Sequence, residues 1–169
     1  ELTKFTREAV QGAKTFAKMN TEITTEERDR WTMHNGDCVR VAKTMEDESV
    51  GFSVFSPPFA DLFTYSDDVQ DMGNCNGLSE FMVQFGYLID ELHRVTMPGR
   101  ECAVHCCDLL ATKWKDGEIE FKDFSSAIAD AFRSRGWLFH SRITIWKDPV
   151  TEMQRTKAHG LLYKTLRTD

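Results

Sequence analysis

Long apolar runs are missing from this chain. None approaches the roughly 20 residues that a helix needs to cross a bilayer, and no basic-then-apolar leader opens it, so neither a membrane span nor secretion is expected. Cys-x-x-Cys spacing is also missing. The five cysteines (Cys38, Cys75, Cys102, Cys106 and Cys107) are odd in number, which argues against a disulfide framework and a structural zinc site. Two of them adjoin inside an apolar stretch, where reduced thiols behave as small hydrophobes, and a reducing cytoplasm is the simplest compartment. An excess of basic residues is absent too. The net charge of −6 counts at first sight against a nucleic-acid partner, although a whole-chain sum hides local patches and a basic surface can sit in another domain. The first residue is Glu1 rather than Met, so a trimmed chain or a piece of a longer one is expected.

What is present suits one soluble domain with one core: 169 residues, 41% hydrophobic and 28% charged. Residues 1–30 read as an N-terminal helix and its connection, with Phe5, Val10, Ala13, Phe16 and Ala17 at helical spacing. From Trp31 short strands and helices alternate. Residues 31–34 form a strand ending in Asn35-Gly36-Asp37, and 38–45 a short helix with Val39, Ala42 and Met45 inward. Residues 50–55 form a strand stopped by Pro57-Pro58, because proline cannot donate to a sheet ladder. Residues 60–77 have no usable period and read as a long loop, often a functional feature. Residues 78–97 are the strongest helix, with Phe81, Phe85, Leu88, Leu92 and Val95 on one stripe, Ser79 or Asn76 as cap, and Met97-Pro98-Gly99-Arg100 as stop. A buried strand at 101–107, a polar excursion at 111–120, a helix at 122–135 closed by Gly136, and an alternating strand at 137–146 complete the domain, which runs over 31–149. Residues 150–169 are a polar, basic tail.

This order predicts an α/β fold with right-handed crossovers and a mostly parallel sheet. Such sheets bind ligands beyond the carboxyl ends of their strands. Asp37 and Ser56-Pro57-Pro58-Phe59 each fall at such an end, so both are expected on one rim.

An Asn-Gly-Asp turn, a short helix, and a strand ending in Ser-Pro-Pro-Phe together resemble the DNA amino-methyltransferases, which modify exocyclic amines. The segment 88–99, LIDELHRVTMPG, is similar to the helix and proline-glycine stop of that family. The resemblance runs from Trp31 to Trp146. It implies a Rossmann-like sheet dependent on S-adenosylmethionine, incomplete in this chain, with double-stranded DNA as partner in a bacterial or phage-infected cell. It also implies roles: Ser56 Oγ and the Pro57 carbonyl hold the target amine, Pro57 and Pro58 stiffen the turn, and Phe59 stacks on a flipped base. Serine in the first place resembles the group acting on cytosine N4, with adenine N6 the alternative. Asp37 is the implied contact to the cofactor's adenine amine; Asp is equally a favoured helix N-cap, and both readings stay open.

The family's Phe-x-Gly-x-Gly cofactor loop does not occur here. In the permuted class it follows the catalytic motif, so a C-terminal region of the same protein is the expected partner for the missing half of the cofactor site. Rival readings are a methyltransferase for an RNA or protein amine, whose motif is Asn-Pro-Pro-Tyr, and an inactive DNA- or partner-binding domain of a phage or restriction-type protein. Four minor candidates carry plainer readings. His105 and Asp108 could line the base pocket, but a satisfied buried histidine is the plainer reading for the first. Lys113-Trp114-Lys115 reads as a solvated loop with an anchoring Trp. Phe63-Thr64-Tyr65-Ser66 follows the motif, where relatives keep a mobile segment. Arg155, Lys157, Lys164 and Arg167 could meet phosphate or simply be solvated.

Overall fold

The structure is a computed structural model that describes residues 22–148 except 61, 69 and 112. The expected helix near the N-terminus and the basic tail lie outside the described residues. In chain order the elements are β1 (Thr24–Arg28), β2 (Trp31–Asn35), α1 (Cys38–Lys43), β3 (Val50–Phe55), a 3₁₀ turn (Met72–Asn74), α2 (Leu78–Val95), β4 (Thr96–Val104), β5 (Leu109–Leu110), α3 (Lys113–Asp116), β6 (Phe121–Lys122) and α4 (Phe124–Arg133).

β3, α2 and β4 form the central unit, in which β3 and β4 pair in parallel. Phe52 to Phe55 face Glu101 to Val104 in register, while Val50 pairs with Thr96, so residues 97–100 bulge out opposite Gly51. Gly99 takes φ 74° in that bulge, a conformation glycine adopts without steric cost. The Met97-Pro98-Gly99-Arg100 segment therefore ends the helix as expected, yet it already belongs to the strand.

Helix α2 packs against this pair through the predicted stripe. Phe81, Phe85 and Ile89 are fully buried and Val95 nearly so; Leu88 and Leu92 flank them, half-buried. Phe81 stacks on Phe85 with ring centroids 5.3 Å apart, Phe124 of α4 lies 5.5 Å from Phe81, and Phe55 of β3 lies 6.3 Å from Phe85. These contacts add to plain area burial. Gly77 at φ 95° begins α2 in place of the expected Ser79 or Asn76 cap, and Glu80 Oε2 accepts from the Asn76 amide at 2.7 Å.

The other end of α2 is tied to α1 by Arg94. Its guanidinium donates to the carbonyls of Ala42 and Met45 and to Asp47 and Glu91. One arginine thus adds a second donor to the Ala42 carbonyl, which already accepts from the Met45 amide, and ties Met45 to the end of α2. The side chains of Asp47 and Glu91 hold the Arg94 pKa above its ordinary value.

Four expectations fail. β2 does not join the β3–β4 sheet; it pairs antiparallel with β1 through a turn at Asp29-Arg30, and all ten residues of the two strands are exposed. The Thr-Thr-Glu-Glu-Arg sequence of β1 has no apolar alternation to announce a strand, yet its backbone offers β2 a nearby ladder. Met45 is exposed rather than inward. Residues 101–107 are not a buried strand: Glu101 and His105 are exposed, and pairing on β4 ends at Val104. Residues 137–146 form no strand. They alternate as a strand does, but a ladder needs a second backbone, and Leu138 and Ile143 are 93% and 86% exposed. The start of this segment is held by the Trp137 amide donating to the Phe132 carbonyl at 3.3 Å, by Trp137 edge-on to Phe132 at 5.5 Å, and by Arg133 over the Phe139 ring at 4.7 Å.

Phe85→Ala is expected to cost about 3–5 kcal/mol in urea denaturation, since it opens a cavity among rings that cannot close over it. Val83→Ala, on the 61% exposed face of the same helix, is expected to stay within about 0.5 kcal/mol.

Candidate active site

The carboxyl ends of β3 and β4 lie side by side, and one backbone bond carries the ladder past both strands: the His105 amide donates to the Phe55 carbonyl at 2.9 Å. That bond brings the next residue, Ser56, beside His105. Ser56 Oγ donates to the His105 carbonyl at 3.0 Å, and His105 Nδ1 lies 3.4 Å from the same oxygen. Both residues are exposed, so the pair faces solvent at the rim.

The following residues hold this geometry. Pro57 is buried and Pro58 half-buried, and two fixed φ angles leave the turn little freedom. Phe59 is half-buried against the core, its ring edge-on to Phe124 at 6.0 Å. The Leu62 amide donates to the Phe59 carbonyl at 3.1 Å. Between them Ala60, 2% exposed, adopts φ 49°. That conformation costs a non-glycine residue about 1–2 kcal/mol, so burial of its methyl group maintains a strained turn next to the motif.

A serine hydroxyl has one hydrogen and two lone pairs. With its hydrogen given to a carbonyl, Ser56 presents acceptor capacity outward. That polarity suits an incoming N–H and not an incoming carbonyl oxygen.

The loop after the motif is ordered by its own polar groups. Asp71 Oδ2 accepts from the Ser66 amide and hydroxyl at 2.8 and 3.0 Å, and Oδ1 from the Gly73 amide at 2.8 Å. Asn74 Nδ2 donates to the carbonyls of Ser66 and Asp68. Gly73 is required: a Cβ there would sit 2.4 Å from the Phe63 carbonyl oxygen. Phe63 and Tyr65 stand exposed, edge-on to each other at 6.5 Å.

Asp37 caps α1, its Oδ1 accepting from the Arg40 amide at 2.8 Å. The N-cap reading of this residue is therefore realised. The expected shared rim is not: Asp37 follows a strand of the separate β1–β2 hairpin. As a fit to S-adenosylmethionine, Asp37 offers one further carboxylate oxygen for an amine, and among the described residues no glycine-rich cradle accompanies it. His105 is exposed, which corrects the buried reading, and Asp108 is engaged by the Ser125 amide at 3.0 Å. Trp114 is 86% exposed, not buried as an anchor would be.

Cysteine chemistry is disfavoured. Burial pushes Cys102 up to about 11 and raises Cys106 and Cys107, the last two also through Asp108. Thiols held neutral are poor nucleophiles and poor metal ligands. Among the described residues no cluster of three or more metal-ligating side chains occurs, and no helix is long and apolar enough to cross a membrane.

No protein-family model matches the chain, and no curated protein does. Solved structures of TTHA0409 from Thermus thermophilus, a protein assigned as a DNA modification methylase, share part of its shape. One aligns with a TM-score of 0.46 at 14% identity, covering 72% of this chain and 56% of that one. Its complex with S-adenosyl-L-methionine aligns with a TM-score of 0.45 at 16% identity, covering 72% and 59%. The chain thus spans less than two thirds of the length of these structures.

Two substitutions test the local geometry. Asp71→Ala is expected to speed amide hydrogen exchange at Ser66 and Gly73 by about tenfold or more, because charge-assisted bonds to both are lost. Asp37→Ala is expected to cost about 1 kcal/mol in stability, whereas Asp37→Asn keeps the cap and costs a few tenths at most.

Proposed function

We propose that this chain is the substrate-side half of a DNA amino-methyltransferase that uses S-adenosylmethionine, acting on cytosine N4 in preference to adenine N6. The observation that carries the reading is the Ser56 hydroxyl, locked as an outward acceptor by the His105 carbonyl and followed by Pro57, Pro58 and Phe59.

An exocyclic amine on a base is a weak nucleophile because its lone pair is delocalised into the ring. Two acceptors, Ser56 Oγ and the Pro57 carbonyl, would bind its two hydrogens and turn the nitrogen lone pair out of the ring plane. Because the acceptors are fixed beforehand by two prolines and a backbone bond, they need no reorganisation during reaction. Phe59 would meet the extruded base with the part of its ring not covered by Phe124. The cofactor, when bound, supplies an electrophilic methyl group on a sulfonium; Asp37 Oδ2 is the group here suited to its adenine amine.

A second reading is a DNA- or partner-binding domain without catalysis. A full reading frame that carries no Phe-x-Gly-x-Gly segment past Asp169 would favour it.

Incubating the chain, and the product of its full reading frame, with labelled cofactor and mixed-sequence DNA decides between them. Digestion of the DNA to nucleosides is expected to yield N4-methylcytidine in its deoxy form. Ser56→Ala is expected to lower transfer by roughly 100-fold or more with an unchanged circular dichroism spectrum. Full activity in that variant would refute the assignment, and DNA retention without transfer would favour the second reading.

A further inference from the structure

We propose that the imidazole of His105 is a positioning residue for Ser56, and that its protonation sets how well Ser56 Oγ accepts a substrate amine. The proposal rests on the reading that Ser56 accepts from an amine.

The geometry places two groups of one residue against one oxygen. The His105 carbonyl takes the Ser56 hydrogen at 3.0 Å, and the ring nitrogen Nδ1 stands 3.4 Å from Oγ on the same rim. The carbonyl only accepts, whereas the role of Nδ1 depends on the proton the ring carries. An imidazolium carries hydrogen on both nitrogens and donates from Nδ1; it then takes one of the two Oγ lone pairs and draws electron density from the other, the one left for the amine. A neutral ring with its hydrogen on Nε2 has no proton at Nδ1, and both lone pairs of Oγ stay available. Acceptor strength toward a substrate therefore increases as His105 loses its proton.

The surroundings allow this exchange. His105 is exposed, so water delivers and removes the proton. Pro57 and Pro58, which follow Ser56 at the end of β3, carry no charge. Asp108 follows on the chain and is bonded to the Ser125 amide. Cys106 and Cys107 follow His105 in the chain, with thiols that burial raises. Arg142 and Lys147 act on those thiols from the segment after α4.

Two measurements test the idea. Nitrogen-15 spectra of the His105 ring in the whole chain, taken from about pH 5 to 8, need no methyl transfer. Ser56→Ala is expected to shift the ring nitrogens and change the tautomer balance; identical spectra would overturn the proposal. Methyl transfer over the same range is expected to fall in acid through kcat rather than KM. His105→Asn should abolish that acid limb, with His105→Gln as substitute if the first variant fails to fold. An unchanged acid limb, or inactivity at every pH in a folded variant, would overturn it. If even the product of the full reading frame transfers nothing, the amine-acceptor reading fails, and the spectra alone decide whether His105 positions Ser56.

Discussion

The bond from the His105 amide to the Phe55 carbonyl is the point on which the rest of the molecule converges. It is the last rung of the β3–β4 ladder, and it brings Ser56 to His105, 49 residues away in sequence. Without it Ser56 would be a solvated residue after a strand. With it, Ser56 faces the carbonyl and ring of His105 together. The aromatic core below serves this rung: Phe55, Phe81, Phe85 and Phe124 clamp α2 and α4 onto the strand pair.

Rigidity is unevenly distributed around that rung. The motif side is fixed covalently, by two prolines, and by a strained buried alanine. The loop side is fixed by polar bonds to Asp71 and Asn74, so a segment without helical or strand period is still ordered. The far end of α2 is held by Arg94 on the carbonyls of α1. By contrast, Phe52 and Val54 on β3 are 57% and 70% exposed. Parallel sheets are normally covered on both faces; among the described residues this pair is covered on one side only.

Elements with a strong local pattern were legible from residues alone. The 50–55 strand, the long helix with its Phe81–Phe85 stripe, and the 124–133 helix closed by Gly136 at φ 90° all lie where periodicity and stop signals put them. The β1 strand and the failure of 137–146 to join a sheet were not legible. Strand formation depends on a second backbone at hydrogen-bonding distance, and no property of one segment states whether that partner exists.

The sequence by itself therefore determined the motif, its stiffness and its position after a strand, because proline geometry and hydrophobic periodicity are local properties. It also determined that Asp37 could cap a helix. Only the tertiary structure decided that Ser56 meets His105, that its hydroxyl hydrogen is given to a carbonyl, and that Asp37 follows a strand of a separate hairpin. Those outcomes follow from which backbones pair across dozens of residues, and pairing is a property of the assembled sheet.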